Sequence, residues 1–354
     1  TPMIRIETIG AGGGSLAWRD EGEALRVGPR SAGSHPGPIA YGRGGRHVTL
    51  TDAHLHLGRI PPSYFLGGTM KIHPAKIRGP LSSLAKSLKL SVDQTAEGIV
   101  TVANHHMARA LRVLSLQRGH DPREFTLLPF GGAGGLHACE LADLLDMPRV
   151  LIPLHPGVLS AFGMAFADWV RDYVQTVLWK DPSLAELTRM RGAMKKRAAA
   201  DARRAGFGPK QILWNAQIDL RYAGQSYEVT VPLDKNFKRS FERAHRRLYG
   251  FLHRKRPIEA VNLRLQARIP RSVSENLAVP HPEKAVVASR PRKFLKSYWR
   301  GKRLRAPLHV RESLAPGQVV DGPAVIAEYS ATTFIPPGWR ASVETAGHLI
   351  LSKL

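Results

Sequence analysis

The residues with the clearest chemical potential are glycines placed where backbone amides can meet a ligand. In Phe130-Gly131-Gly132-Ala133-Gly134-Gly135-Leu136-His137-Ala138 an apolar run leads into glycines and then opens a helical segment. Glycine lets the main chain approach a bound group closely, and a helix N-terminus favours an anion or a polar base. Gly131, Gly132, Ala133 and Gly134 are therefore candidate nucleotide contacts, with a plain tight turn as the other reading. Gly12, Gly13 and Gly14, within Ile9-Gly10-Ala11-Gly12-Gly13-Gly14-Ser15, make a second such loop. That string nearly matches the dinucleotide fingerprint but lacks its last glycine and a clear preceding strand. No Gly-Lys-Ser/Thr of the Walker type occurs.

Polar candidates lie beside these loops. Thr51-Asp52-Ala53-His54-Leu55-His56 offers a carboxylate and two imidazoles. In a strand Asp52, His54 and His56 would share one face and could hold a divalent metal; hydrogen-bonded histidines on a loop are the other reading. His105 and His106 are adjacent on a helical pattern, diverge by about 100° and cannot chelate together. His137, next to the glycine loop, is a candidate for contacting or orienting a base. Cys139 falls on an apolar helix face without a partner base, which suits a core residue rather than a nucleophile.

These groups need elements to position them. Glycine and proline turns dominate residues 1–60, and the apolar residues between them predict packed loops and short strands lining a cleft. Ser91-Val92-Asp93-Gln94 is a capping-box start for a long helix whose stripe runs from Val92 to Leu114, with Gly119 as its terminal glycine. A strand over 125–130, the glycine loop, a helix over 136–145 and a strand over 149–154 then give the order of an α/β layered domain. Its boundary is expected at 172/173. Beyond it, a basic helix begins at Asp181-Pro182, strands are expected over 212–219, 226–232 and 261–269, and a helix over 237–249. The tail reads as short strands broken by proline and glycine.

The 354 residues are 43% apolar, enough for a real core in two domains. A single cysteine excludes an internal disulfide framework and fits a reducing cytoplasm, and no apolar run is long enough to span a membrane. Thr1-Pro2-Met3-Ile4-Arg5 reads as neither a signal peptide nor a start, so a cut into a longer chain is expected. The net charge of +24 is concentrated in segments such as 189–204, 235–256 and 290–305. The first is amphipathic, with Lys195, Lys196, Arg197, Arg203 and Arg204 mostly off its apolar stripe. No nucleic-acid motif or stacking platform accompanies the charge, which favours solvated faces over a nucleic-acid footprint.

In order and spacing, the glycine segments resemble one family. Val27-Gly28-Pro29, Pro36-Gly37-Pro38, Tyr41-Gly42-Arg43-Gly44-Gly45, Thr51-Asp52-Ala53 with Leu57-Gly58, and Arg118-Gly119 with Asp121-Pro122 join the two loops above. Pro156-Gly157-Val158-Leu159-Ser160-Ala161 follows them. Asp219-Leu220-Arg221-Tyr222-Ala223-Gly224-Gln225-Ser226-Tyr227-Glu228 and Thr332-Thr333 with Pro336-Pro337-Gly338-Trp339 extend the likeness over essentially the whole chain. The pattern resembles the C-terminal half of the A subunit of ATP-dependent hydantoinases and 5-oxoprolinases, with the related acetone and acetophenone carboxylases.

The resemblance implies one lobe of an actin-like, sugar-kinase-like ATPase domain followed by a β-rich α+β C-terminal domain. It implies ATP with Mg²⁺, with Gly131-Gly132 near the adenosine, and phosphorylation of an amide or carbonyl oxygen before ring opening or carboxylation. A B-type subunit and an N-terminal ATPase half are the implied partners. The expected activity is opening of a small cyclic amide of 5-oxoproline or hydantoin type; a ketone carboxylase subunit and a diverged, non-catalytic interaction module are the alternatives. The family's acidic-Gly-Gly-Thr phosphate motifs are absent from these 354 residues, so the chain is expected to be inactive alone. His35, Ala40 and His54 stand where the family usually has an acid, cysteine and asparagine, and Gly135 where it has proline. The first three are expected in loops facing the cleft. Arg221, Tyr222, Gln225 and Glu228 are expected to be structural corner residues of the second domain, with its partner interface as the other reading.

Overall fold

The computed structural model describes residues 6–253, 255–271 and 290–354. The chain divides into two units, Thr1–Phe162 with Ala278–Leu354 and Gly163–Leu277. The first opens with an antiparallel pair, β1 (Ser15–Arg19) and β2 (Leu25–Ser31). Helices α1 (Leu50–His56), α2 (Arg78–Ser87) and α3 (Val92–Leu114) follow. Ser91 caps α3 through the expected capping box with Gln94, and the buried stripe includes Ala96, Ile99, Val100 and Ala103. Gly119 closes a separate short turn after α3, at φ 78°, rather than α3 itself.

The expected strand over 125–130 shortens to β3 (Thr126–Leu127). It pairs in parallel with β4 (Arg149–Ile152) across α4 (Gly134–Leu144). Helix α5 (Leu159–Phe166) ends this stretch.

The second unit is a four-stranded antiparallel sheet ordered β5-β8-β6-β7. Strand β5 spans Trp169–Lys180, β6 Leu213–Tyr222, β7 Val229–Pro232 and β8 Ile258–Ile269. Leu187 and Met194 of α6 (Leu184–Arg204) join Phe237 and Phe241 of α7 (Phe237–Tyr249) in burying Ile218, Leu220, Leu263 and Leu265. The cap of α6 is Ser183, not Asp181. Arg221 pairs with Glu259 at 2.7 Å, Tyr222 is buried, and Gln225 Oε1 accepts from Tyr222 N–H at 3.3 Å, which gives these residues structural roles.

The tail then rejoins the first unit. Strands β9 (Lys293–Trp299), β10 (Lys302–Val310), β12 (Ala324–Ala327) and β13 (Thr332–Ile335) make a mixed sheet ordered β13-β12-β10-β9. Strands β11 (Val319–Asp321), β14 (Trp339–Val343) and β15 (Leu349–Lys353) complete a five-stranded sheet, with β15 directly beside β4. The compact units therefore do not follow the division at 172/173. That position lies inside β5, and the last strands are buried against β4 and α4, in one cluster with Val150, Ala138 and Leu141. No helix among the described residues is long and apolar enough to cross a membrane.

Candidate functional site

The segment holding Asp52, His54 and His56 is a helix rather than a strand. Thr49 and Asp52 form a capping box, and Leu50, Ala53 and Leu57 are buried at helical spacing. On a helix, positions two apart lie on opposite sides, so His54 is parted from Asp52 and His56, and those two are committed to different partners. Asp52, fully buried, accepts from the N–H groups of Ile39, Ala40 and Thr49 and from the Thr49 hydroxyl, at 2.8 to 3.2 Å. Burial raises its pKa, and those hydrogen bonds oppose the rise. It ties the 39–41 turn to α1. His56 pairs with Asp93 at 2.8 Å. Among the described residues no group of three or more His, Cys, Asp or Glu side chains could hold a metal ion.

His54 belongs to a different site. It lines a cavity of about 260 Å³ together with Gly13, Thr51, Tyr64, Gly132, Ala133 and Glu328. Main-chain bonds hold the walls: Thr51 N–H donates to Gly13 O at 2.9 Å, and Thr332 N–H to Gly132 O at 3.2 Å. Both wall glycines are required by space. A Cβ on Gly132 would lie 2.8 Å from Ser330 O, and one on Gly13 would lie 2.7 Å from Thr51 Oγ1. Of the two candidate loops, Gly13, Gly132 and Ala133 reach this cavity. Gly12 and Gly14 brace β1 and the following loop through Ser15 and Ala32, Gly131 N–H donates to Pro156 O, and Gly134 begins α4. Helix α4 has no side-chain cap at its N-terminus.

Behind the cavity runs a buried polar chain. His54 Nε2 lies 3.3 Å from His137 Nε2, and His137 Nδ1 lies 2.6 Å from Asn104 Oδ1. Asn104 Nδ2 donates to Glu140 Oε2 at 2.7 Å, and Arg59 Nη1 donates to Glu140 Oε1 at 2.8 Å. Arg59 is itself buried, its guanidinium 4.8 Å from the Phe334 ring and 5.2 Å from that of Trp299. Burial beside this cation pushes the His137 imidazole down to about 3. His54 is held well below the ordinary histidine value by burial, His137 and Arg59. Burial beside a cation thus favours the neutral form of both rings.

On the tail side, Glu328 is 6% exposed, and burial raises its carboxyl to about 7, with Arg311 opposing the rise. Its Oε1 and His54 Nδ1 are buried without a hydrogen-bond partner among the described residues. His54 and Glu328 both line the cavity, and each carries a buried polar atom that no described residue satisfies. Sequence reading missed Arg59, Asn104, Glu140 and Glu328. Arg59 follows the Leu57-Gly58 pair and Glu328 ends an apolar run, but neither position signals a site without its neighbours. Ala40 is fully buried and His35 is exposed away from this cavity, so of the three departures only His54 lines it. Cys139 is a buried free thiol whose pKa burial raises strongly.

Comparison with known proteins gives this geometry a context. The hydantoinase/oxoprolinase model matches residues 1–173, and the hydantoinase/oxoprolinase C-terminal domain model matches residues 258–352. The caprolactamase subunit alpha of Pseudomonas jessenii is 35% identical, over 97% of this chain and 52% of its own length. 5-Oxoprolinase 1 of Arabidopsis thaliana is 31% identical, over 98% of this chain and 29% of its own. Nucleotide-free acetone carboxylase superposes with a TM-score of 0.85 at 23% identity, covering 97% of this chain and 52% of that one, and so shares the fold. The chain spans about half the length of the caprolactamase subunit it matches. With two models of one family matching in order over more than half of its residues, the chain belongs to the hydantoinase/oxoprolinase family.

Proposed function

We propose that this chain is part of an ATP-dependent amidohydrolase that opens a cyclic amide of the 5-oxoproline or hydantoin type. The observation that carries the reading is the cavity where Gly13, Gly132 and Ala133 meet His54 and Glu328, with two buried polar atoms left for a ligand. The glycine segments that build it are those through which the chain resembles ATP-using enzymes.

The wall fits the uncharged part of a nucleotide. Tyr41, Tyr64, Phe65 and Leu136 supply apolar surface, while His54 and Glu328 supply polar recognition. The phosphates are a different matter, because the residues lining this cavity include no lysine or arginine. Charge on a transferring phosphoryl group needs cationic neutralisation. We therefore assign that task, and the Mg²⁺ accompanying ATP, to an N-terminal ATPase half, and expect the 354 residues alone to be inactive. ATP, when bound, supplies the phosphoryl group that activates the amide oxygen. Gly13, Gly132 and Ala133 let the backbone close on the ligand, and Glu328 can hold or yield a proton near neutrality. A B-type subunit is the proposed partner for ring opening, and the reducing cytoplasm, which suits the buried free thiol of Cys139, the proposed compartment.

The test joins the chain to its N-terminal ATPase half and a B-type subunit and follows ADP release and ring-opened product from 5-oxoproline and hydantoins. Ring opening strictly dependent on ATP is expected. Turnover of a ketone with bicarbonate instead would move the protein to the carboxylases, and no turnover of any of these would defeat the enzyme reading.

A further inference from the structure

The polar chain behind the cavity has a direction, which can be read from its far end. Glu140 accepts from Arg59 and from Asn104 Nδ2. Asn104 thus turns its NH₂ to the carboxylate and its Oδ1, an acceptor, to His137 Nδ1. His137 must carry its proton on Nδ1. Buried beside the Arg59 cation, the ring is neutral, so its Nε2 bears a lone pair. His54 Nε2, 3.3 Å away, must then be the N–H donor. A neutral His54 protonated on Nε2 has a bare Nδ1, and that is its ring nitrogen without a partner among the described residues. The neutrality of the two rings comes from their burial beside a cation, and the remaining steps follow from donor and acceptor counts.

We infer that His54 is a specificity-determining acceptor, whose Nδ1 reads an N–H donor on a flat heterocycle held in this cavity. The donor is the amino group of an adenine base or the ring N–H of a cyclic amide. The inference rests on the proposed use of ATP and a cyclic amide. Tyr41, Tyr64, Phe65 and Leu136 give a ring the apolar surface it needs. The His54 side chain is 1% exposed and its Nδ1 is covered, so a ligand reaches it only with a small shift of the neighbouring side chains, and a ring without the donor then leaves it unsatisfied. A ring carrying a carbonyl or an N-methyl group at that place faces the lone pair with an acceptor or a blocked nitrogen and is rejected. The tautomer is set remotely: Arg59 and Glu140 orient Asn104 and, through it, both imidazoles. Those three are positioning residues.

The experiment uses the full-length protein in its native assembly and titration calorimetry with two matched pairs. ATP is compared with ITP, which replaces the 6-amino group by a carbonyl, and 5-oxoproline with its N-methyl derivative. Wild type is expected to prefer the N–H member of one pair by about tenfold or more, and His54→Leu to abolish that preference. Loss confined to nucleotides identifies adenine as the ligand read; loss confined to the lactams identifies the cyclic amide. Nitrogen-15 NMR of the wild type gives a readout that does not depend on His54→Leu folding. With the His54 signals assigned by their loss in His54→Asn, Nδ1 should resonate as an unprotonated nitrogen and shift only with the preferred ligand. A protonated Nδ1, or discrimination that survives in His54→Leu, overturns the inference. Binding without discrimination sinks it alone, whereas binding of neither pair removes the ATP and cyclic-amide reading with it.

Discussion

Glu328 is an acid whose ionisation its surroundings resist, with a pKa of about 7 against an ordinary 4.5. Between those two pH values the folded protein holds a proton that the unfolded chain has released. Stability contributed by protonated Glu328 is thus present below pH 4.5 and is lost as pH rises through 7. The loss amounts to about 3 kcal/mol. Glu328→Gln, neutral at every pH, should flatten this part of the profile and be the more stable protein at pH 8. Urea midpoints of both proteins at pH 4.5 and 8 decide the matter, since parallel profiles would mean that Glu328 ionises freely in the fold. The polar chain behaves differently. Asn104, His137 and Glu140 are satisfied by one another, so their value lies in orientation rather than in net stability.

At the scale of elements, capping sets the helices and tertiary pairing corrects them. Helix α3 is capped where Ser91 and Gln94 exchange hydrogen bonds. Ser91→Ala should cost about 1 kcal/mol, read as a lower denaturation midpoint of the unit, and Ser91→Asp should recover most of it. In α6 the helix begins two residues later than the local sequence suggests. Asp181 is committed elsewhere, its N–H donating to Ile258 O and its carboxylate accepting from Ile258 N–H. Helix α1 shows the opposite error. The alternation of Asp52, His54 and His56 resembles a strand, yet Thr49-x-x-Asp52 is itself a capping-box signature and Leu50, Ala53 and Leu57 keep helical spacing. Burial of that stripe decided between the two periods.

The first unit is made from two distant stretches of chain, so it cannot be completed by either. Strand β15 is the antiparallel neighbour of β4, and Trp299 and Phe334 cover the buried Arg59 cation. A chain ending at residue 271 would leave that cation and the β4 edge uncovered. It should fail to fold its first unit, seen as rapid proteolysis within residues 6–162. Gly163–Leu277 alone has its own buried cluster and should melt cooperatively. Protection of residues 6–162 in the shortened chain would refute this account of the unit.

The sequence by itself determined the family, the capped helix α3, helix α7, strands β6, β7 and β8 of the second unit and the glycine loops of the cavity wall, but not β5. All of these rest on local periodicity, caps or short motifs, which are written in neighbouring residues. Only the tertiary structure decided that Asp52, His54 and His56 part company and that His54 joins His137, Asn104, Glu140 and Arg59. It alone brought Glu328 from the tail to Gly13 and Gly132. Hydrogen bonds between residues tens to hundreds of positions apart leave no period in the chain, and a tautomer depends on every donor and acceptor in line behind it.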